Sequence, residues 1–384
     1  MKKNFLIMLM LVLVQIVSAA DDAPVSIGGI FYKLDTGKKQ AEVTYDRGYS
    51  GPERERKTYK GTVTIPATVS YQGITYDVTS IENSAFSCND ELETVNLPNS
   101  ILHIGWYAFN CCPKLQTLTI PKSVTDIEYG ILSECDAVTS IIVDKDNNVY
   151  DSRNNCNAII HTTTNELIQG CQNTVIPNTV TRIGNKAFEN ISTLTSIEIP
   201  NSVTNIGDDA FTYTGLKELV LPSSIIYLGM GSFDWCSELV SVTLSESMTN
   251  VSAMAFENCN VSTIIIPASV VSINDGAFAG FHNPISIYFQ STTPPHIDFS
   301  IGLTFGDIAT IHVPVGYKDA YMNSDTWKNY TIIDDVVVPE SATGISTLNS
   351  IKTQNEIIFT LSGERLPAQR KGINIINGKK IYIK

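Results

Sequence analysis

The chain has 384 residues, of which 43% are hydrophobic and 17% charged, with a formal net charge of −13. This apolar content excludes a largely disordered chain, and the length exceeds that of one typical domain. The negative charge disfavours nucleic acids and anionic membrane surfaces as partners, because both are negatively charged themselves. We therefore expect several domains or one repeat array, with no nucleic-acid partner.

Residues 1–20 have the pattern of a secretory signal peptide. Lys2 and Lys3 precede an apolar run from Phe5 to Val17, and the small residues Ser18–Ala20 follow. The run is shorter than the ~20 residues that a membrane-spanning helix needs, which argues against an uncleaved anchor. We expect cleavage after Ala19 or Ala20 and a mature chain without a membrane span. The protein would then be secreted or held at the outer cell surface, with the periplasm as the alternative location.

Residues 21–60 are expected to form an N-terminal β cap. The strings GGIFYKLD and AEVTYD alternate apolar and polar residues, which predicts a β-hairpin. The ends of a repeat array expose apolar surface, so a cover of this kind is required.

Residues 61–289 repeat with a period of 22 or 23 residues, most clearly as L-x-x-I-x-I-P-x-S-V-x-x-I-G-x-x-A-F. One column is aromatic apart from a single leucine, and it contains Phe86, Phe109, Leu132, Phe188, Phe211, Phe233, Phe256 and Phe278. A second column is proline with one serine, and it contains Pro98, Pro121, Pro177, Pro200, Pro222, Ser245 and Pro267. Regular self-similarity of this length predicts a solenoid in which each coil buries its apolar side against its neighbours.

Each column of the repeat has a predicted role. Leu194, Ile197 and Ile199 are expected to point inward from a short strand that Pro200 ends, since proline cannot donate to a strand ladder. The aromatic residue is expected on a short helical or tight turn, filling the space between coils. A further column holds glycine in some coils and other residues in the rest. We therefore expect that positive φ is not required there and that glycine is favoured but not essential. That column contains Gly105, Gly184, Gly207 and Gly229, with Glu82, Glu128, Ser252 and Asn274 in the other coils.

The repeat resembles the BspA-type leucine-rich repeat of surface and secreted proteins from anaerobic Gram-negative bacteria. The resemblance implies a leucine-rich-repeat solenoid of α/β type, β-rich with short helical turns, containing about ten coils. Residues 138–173 depart from the plain unit and resemble the wide variant coil that such proteins carry. Residues 290–335 resemble the family's terminal repeat, which would form a C-terminal cap.

Residues 336–384 are expected to form a linker and a small β module with three short runs, IIFTLSG, INIING and KKIYIK. From Glu364 onward this segment carries six basic residues and one acidic residue, opposite in sign to the rest of the chain. It is similar to C-terminal sorting modules of such bacteria, and an inert β tail is the alternative.

Six of the eight cysteines follow the repeat, and none of the eight has a metal-binding spacing. Cys88 and Cys111 lie two places after the aromatic column, whereas Cys112, Cys135, Cys236 and Cys259 lie three places after it. This ladder favours buried structural thiols over disulfides, although export permits disulfides. Because no C-x-x-C string or Cys/His cluster occurs, we expect no metal site.

The sequence contains no H-E-x-x-H, G-x-S-x-G, G-x-G-x-x-G or phosphate-loop motif. We therefore expect a protein that is not an enzyme and has no catalytic residues, cofactor or metal. The aromatic residues Trp106, Tyr129, Tyr213 and Trp235 lie near the turns. They are better candidates for a glycan or protein site than the outward strand positions, which have no aromatic anchor, but packing beneath the turns is the role favoured for them.

Function in a solenoid usually lies on its exposed strand face. The candidate interaction face consists of outward strand positions that are mostly hydroxyl or amide side chains: Thr94, Asn96, Thr117, Thr119, Ser196, Glu198, Glu218, Ser241, Thr243 and Thr263. The family resemblance implies adhesion or protein binding at the cell surface, with a host or other extracellular protein as partner. The alternatives are a carbohydrate-binding accessory module, with a glycan as partner, and a structural envelope component.

Overall fold

The computed structural model describes residues 23–46, 59–281, 285–297 and 309–336, together with the backbone of four strands within 358–383. Residues 1–20, predicted to be the signal peptide, lie outside the described residues. The chain divides into two compact units, one of Met1–Thr164 and Ile168–Asn173, the other of Asn165–Leu167 and Thr174–Lys384. The division falls inside the segment predicted as a wide coil.

In the part of the chain that the structure describes, the fold is a leucine-rich-repeat solenoid of about 11 coils with almost no helix. This result confirms the predicted fold class and nearly matches the expected number of coils. Within the described residues there is one short α-helix, α1 at Lys318–Met322, and one 3-10 turn at Arg153–Asn155.

In the first unit, strands from successive coils pair in parallel, one coil beside the next. His103 pairs with Ser80 and Asp126, and the next residue, Ile104, pairs with Ile81 and Ile127 inside the core. The strands are β1 Val25–Ile27, β2 Ile30–Asp35, β3 Gln40–Thr44, β4 Lys60–Thr64, β5 Thr68–Tyr71, β6 Ile74–Ile81, β7 Glu91–Asn96, β8 His103–Ile104, β9 Thr117–Ile120, β10 Asp126–Ile127, β11 Ser140–Val143, β12 Tyr150–Asp151 and β13 Ala158–His161.

The predicted N-terminal hairpin is confirmed. Strands β2 and β3 are antiparallel, with Phe31 opposite Thr44 and Asp35 opposite Gln40. Strand β3 then pairs in parallel with β6, so the hairpin joins the same sheet as the first coils. This arrangement covers the apolar end of the repeats with hydrogen-bonded backbone.

The second unit contains a six-stranded sheet in the order β17-β19-β21-β23-β25-β26, whose neighbouring strands are all parallel. Two-residue strands elsewhere in the same coils also pair in parallel, each with the equivalent strand of the next coil. Strand β14, Glu166–Gly170, has residues in both units. The others are β15 Arg182–Ile183, β16 Asn205–Ile206, β17 Glu218–Val220, β18 Tyr227–Leu228, β19 Ser241–Thr243, β20 Asn250–Val251, β21 Thr263–Ile266, β22 Ser272–Ile273, β23 Ile285–Phe289, β24 His296–Ile297, β25 Ala309–Pro314 and β26 Thr331–Val336.

The predicted C-terminal β module is present as a four-stranded antiparallel sheet, β28-β27-β29-β30. Its strands are β27 Ile358–Phe359, β28 Arg365–Leu366, β29 Gly372–Ile376 and β30 Lys379–Ile383. Three of them match the runs seen in the sequence.

One predicted strand does not form. Residues 195–199 have no strand conformation, and Ile197 is only half-buried although Leu194 and Ile199 are buried. The hydrogen bond from Lys217 N to Thr195 O measures 3.4 Å, which is long for a ladder bond. The burial of Leu194 and Ile199 and this long hydrogen bond hold the segment against its neighbours.

The aromatic column lies in tight turns, one of the two alternatives expected for it, and not in short helical turns. The residues two places before and two places after every member of the column have positive φ. At Phe211 these are Asp209, with φ 52°, and Tyr213, with φ 57°. A left-handed residue at each end prevents the helical repeat from continuing. The turns of successive coils are joined instead by backbone hydrogen bonds, such as Phe211 N to Ser232 O at 2.8 Å.

The cysteines three places after the aromatic column satisfy backbone carbonyls. Cys236 Sγ donates to Phe211 O at 3.1 Å, and Cys259 Sγ donates to Phe233 O at 3.2 Å. In the first unit, Cys112 and Cys135 make the same bond to Phe86 O and Phe109 O, each at 3.0 Å. All eight cysteines are free, and seven of them are buried. A thiol suits this place because it is small and can still donate one hydrogen bond.

The glycine column is occupied for a steric reason. None of Gly105, Gly184, Gly207 and Gly229 has positive φ. A Cβ at Gly207 would lie 2.4 Å from Asn185 Oδ1 and 2.6 Å from its backbone nitrogen. That Oδ1 accepts the Asp208 N–H of the next coil at 3.0 Å. As expected, positive φ is not required in this column. Glycine is nevertheless needed at position 207, because a side chain there would occupy the space of the hydrogen bond between Asp208 N and Asn185 Oδ1.

Candidate functional site

The six-stranded sheet of the second unit presents one continuous outward row of short polar side chains. Each residue in the row is the direct partner of the next, so the side chains stand one coil apart. We call this set the hydroxyl row, because five of its six members carry a hydroxyl group: Glu218, Ser241, Thr263, Ser286, Thr310 and Thr331. The residues one place further along each strand, such as Leu219, Val242 and Ile264, point inward and are buried. Period-2 alternation therefore fixes which face is exposed.

The first unit has a shorter face of the same kind. Thr94 pairs with Thr62, and Asn96 Nδ2 donates to Thr64 Oγ1 at 3.0 Å on the neighbouring strand. Thr117 and Thr119 lie on β9 beside β11. Hydroxyl and amide groups on adjacent strands are therefore close enough to hydrogen-bond one another and a ligand.

The structure places all predicted face residues at partly or fully exposed positions. It brings together Glu218, Ser241, Thr243 and Thr263 in one sheet. Ser196 and Glu198 are exposed as well, but they lie on the segment that forms no strand. Sequence reasoning missed that Ser286, Thr310 and Thr331 continue the hydroxyl row, although the strings SIY, TIH and TII carried the signal.

A second outward row lies beside the hydroxyl row and is less polar: Val220, Thr243, Ile265, Tyr288, His312 and Ile333. Val220 is 49% exposed, whereas Tyr288 and His312 are buried and stack with ring centroids 4.1 Å apart. His312 Nδ1 lies 2.8 Å from Asp335 Oδ1. The strands of this sheet are therefore exposed mainly along the hydroxyl row, because the second row becomes buried at Tyr288 and His312.

The turn aromatics are not packed beneath the turns, contrary to the prediction for them. Trp106 is 52% exposed, Tyr213 46% and Trp235 43%, and Tyr129 is half-buried. In the second unit the Tyr213 and Trp235 rings lie parallel, 5.4 Å apart, with planes 5° apart. We call this pair the aromatic ridge. Both residues sit two places after a buried phenylalanine, where side chains point away from the core.

The backbone of the aromatic ridge is in a costly conformation. Tyr213 has φ 57° and Trp235 has φ 55°, in the left-handed region that bulky residues rarely adopt. That conformation costs about 1–2 kcal/mol per residue, and a stacked aromatic pair returns only about 0.5–1.5 kcal/mol. The stacked pair therefore offsets only part of this strain, which the ridge shares with the other left-handed turn residues of the coils.

Carboxylates lie beside the ridge. Asp234 precedes Trp235 and accepts a hydrogen bond from Asn258 Nδ2 at 3.3 Å. Burial first, and the nearby charges of Glu257 and Asp209, raise the pKa of Asp234 to about 6 against the lowering effect of the Asn258 hydrogen bond. Burial and the charge of Asp275 also raise the pKa of Glu257. The turn edge therefore holds partly desolvated carboxylates that repel one another.

Within the residues that the structure describes, no group of three or more His, Cys, Asp or Glu side chains could hold a metal ion. Nor is any described helix long and apolar enough to cross a membrane. The exposed surfaces carry hydroxyl, amide, aromatic and carboxylate groups in rows. Such groups can bind a partner through hydrogen bonds, ring contacts and charge.

Comparison with known proteins relates the fold to solved structures. A leucine-rich repeat protein from Eubacterium ventriosum is 18% identical, with 86% of this chain and 97% of that chain covered and a TM-score of 0.52. A leucine rich cell surface protein from Faecalibacterium prausnitzii is 18% identical, covering 81% and 94% with a TM-score of 0.39. The pneumococcal vaccine antigen PcpA is 15% identical, covering 83% and 99% with a TM-score of 0.37. No curated protein matches the sequence.

The repeats themselves match a family model. The BspA type leucine rich repeat region matches six copies over residues 67–169 and 167–285, which together span more than half of the 384 residues. These coils carry the buried aromatic column, the aromatic ridge and the first three members of the hydroxyl row, Glu218, Ser241 and Thr263. The chain belongs to the BspA-type leucine-rich repeat family.

Proposed function

We propose that this chain is an exported, non-enzymatic protein that binds an extracellular or host protein through its outward strand face. The observation that carries the proposal is the registered hydroxyl row, which extends over six parallel strands of the second unit. A row of short side chains on a regular sheet gives an extended surface on which many weak contacts add together.

The chemistry of the strand face supports binding more than catalysis. Its groups are spaced by the coil repeat and point in one direction, so they do not converge on a common point as reacting groups must. The sequence pattern of residues 1–20 supports export, and the family supports a surface location and adhesion. A solved relative, the Faecalibacterium prausnitzii protein, is described as a cell surface protein.

The test uses residues 21–384 applied to immobilised extracellular-matrix and plasma proteins and, in parallel, to a glycan array. We expect saturable binding to at least one protein. The double variant Ser241→Arg/Thr263→Arg introduces two bulky charges into the centre of the hydroxyl row, because these residues are direct partners. It should weaken that binding about tenfold or more, a loss of about 1.4 kcal/mol.

The matched control is Thr249→Arg. Thr249 is exposed but precedes β20, which belongs to a different sheet from the hydroxyl row. This variant should bind as the unchanged protein does. Saturable glycan binding without protein binding would replace the proposal with the carbohydrate-binding alternative. Absence of both would favour a structural envelope component.

A further inference from the structure

The aromatic ridge occupies the middle of a column of left-handed turn residues. The column contains Asn190, Tyr213, Trp235, Asn258 and Gly280, all with positive φ between 55° and 72°. Asparagine and glycine are the residues that tolerate this conformation best. The two aromatics therefore occupy places where smaller residues would be less strained, and both side chains remain partly exposed to solvent.

The ridge stands above its neighbours. Backbone hydrogen bonds place Asn190 one coil before Tyr213 and Asn258 one coil after Trp235: Asn190 N donates to Thr212 O at 2.8 Å, and Trp235 N donates to Glu257 O at 2.9 Å. Each outer ring face thus borders a shorter side chain and not another ring. The inner faces cover each other, so the outer faces and the edges are what a partner can reach.

The charge around the ridge indicates the sign of that partner. Asp234 precedes Trp235 in the sequence, and Glu257 lies beside Trp235 in the following coil. No salt bridge among the described residues neutralises either carboxylate. The basic side chain on this turn edge, Lys186, is bound to Glu189 and Asp209 at 2.5 and 3.0 Å. A cation on the ridge would meet both the electron-rich ring faces and the uncompensated carboxylates.

We propose that the aromatic ridge of Tyr213 and Trp235 is a docking surface for a basic polypeptide segment, whose Arg or Lys side chains lie against the outer ring faces and pair with Asp234 and Glu257. The argument for this occupant is charge complementarity, since an anionic partner would be repelled and a neutral one would leave the carboxylates uncompensated. Arginine fits best, because its planar guanidinium both stacks on a ring and binds a carboxylate with two hydrogen bonds.

This surface lies on the turns and not on the strand face, so it is tested independently of the function proposed above. The probe is a fluorescein-labelled peptide of about 12 residues with alternating Gly and Arg, and its binding is followed by fluorescence anisotropy at low salt. A Gly/Glu peptide of equal length and neutral gluco- and chito-oligosaccharides serve as comparisons. We expect saturable binding of the Arg peptide, weakened by added salt, and no binding of the Glu peptide.

The decisive variant is Tyr213→Asn/Trp235→Asn, which restores at both places the residue that the same column holds at Asn190 and Asn258. It should weaken binding of the Arg peptide about tenfold without lowering the melting temperature. The matched control is Trp106→Asn, which removes another exposed tryptophan at a place where the second unit has Asn185. This control should bind the peptide as the unchanged protein does.

A second variant, Asp234→Asn/Glu257→Gln, keeps the side-chain sizes and removes the charges. It should weaken binding about fivefold and reduce its dependence on salt. The proposal is overturned if the Glu peptide binds equally well, or if the double asparagine variant binds the Arg peptide as tightly as the unchanged protein. It is also overturned if an oligosaccharide binds and loses its binding in that variant, because the ridge is then a glycan platform.

Discussion

The rings of Phe211 and Phe233 lie parallel in the core, with centroids 5.1 Å apart and planes 2° apart, and both side chains are completely buried. The same relationship joins Phe188 to Phe211, Phe233 to Phe256 and Phe256 to Phe278, so one stack of rings runs through the coils of the second unit. Each ring fills the space between two neighbouring coils, whose turns are joined by backbone hydrogen bonds.

Removing one ring should therefore leave a cavity between two coils. Phe233→Ala should lower the free energy of unfolding by about 3–5 kcal/mol. Phe233→Leu should cost less than about half of that, since Leu132 occupies the same column in the first unit. Urea unfolding followed by circular dichroism measures both values, and equal losses for the two variants would contradict the role of the ring.

The close approach at Gly207 predicts a clash. Gly207→Ala places a Cβ against the backbone and side chain of Asn185, so we expect a loss of about 1–3 kcal/mol in the free energy of unfolding. The control is Gly37→Ala, whose nearest atom would be Asp35 Oδ1 at 3.3 Å and whose φ is not positive. It should change stability by less than about 0.5 kcal/mol. Thermal melting of both variants provides the comparison.

The positive φ of Met254 predicts an unusual preference for glycine. Met254 has φ 56°, and the same column holds Gly231 and Gly276 in the adjacent coils. Met254→Gly and the neighbouring Ala253→Gly raise the flexibility of the unfolded chain similarly, but only the first relieves a left-handed residue. Met254→Gly should therefore be about 1–2 kcal/mol more stable than Ala253→Gly. Equal stabilities would show that the turn is not strained at Met254.

The buried thiols should resist labelling. Burial raises the pKa of Cys236 to about 11 and that of Cys111 to about 12, and it raises the pKa of Cys135 and Cys259 as well. Little thiolate is then present at neutral pH, so iodoacetamide should react slowly with the folded protein. Cys111, the only half-exposed cysteine, should react first.

The number of labels measures the disulfide state. Mass spectrometry after unfolding without a reductant should find all eight cysteines modified. Two missing labels would indicate a disulfide, and rapid labelling of every cysteine in the folded protein would contradict the burial of the thiols.

Asp234 predicts a specific pH dependence. Its pKa is raised from 3.8 to about 6 in the folded protein, so between these values the folded state binds more protons there than the unfolded state does. Its contribution to stability therefore falls as the pH rises through that window. Asp234→Asn should raise the melting temperature at about pH 7.5 and change it little near about pH 3, because Asp234 is largely protonated in both states at the lower value.

The control for Asp234 is Glu246→Gln, an exposed carboxylate in the turn between β19 and β20. It should not show this difference between the two pH values. A melting temperature of Asp234→Asn that tracks the unchanged protein at both values would mean that the carboxylate is solvated.

The repeat was readable in the sequence because equivalent residues recur at a fixed spacing. That spacing identified the buried aromatic column, the inward strand residues and the outward face, since alternation along a strand is a local property of the backbone. The N-terminal hairpin was also predictable, because its apolar and polar residues alternate over adjacent segments.

The turns could not be predicted in the same way. Periodicity shows that Asp209, Tyr213, Met254 and Asn258 belong to two columns, but the residue types in those columns vary too much to reveal a left-handed backbone. The need for glycine at position 207 was hidden for a similar reason, because the obstructing atoms belong to Asn185 in another coil. Both features depend on how closely the coils stack.

The amino-acid sequence thus established the solenoid, its core and its outward strand face, all of which follow from local periodicity and burial. Tertiary structure decided the conformation of the turns, the exposure of Tyr213 and Trp235, and the grouping of Asp234 with Glu257. Each of these depends on atoms about one repeat apart in the chain, and the stacking of the coils brings those atoms within a few ångströms of one another.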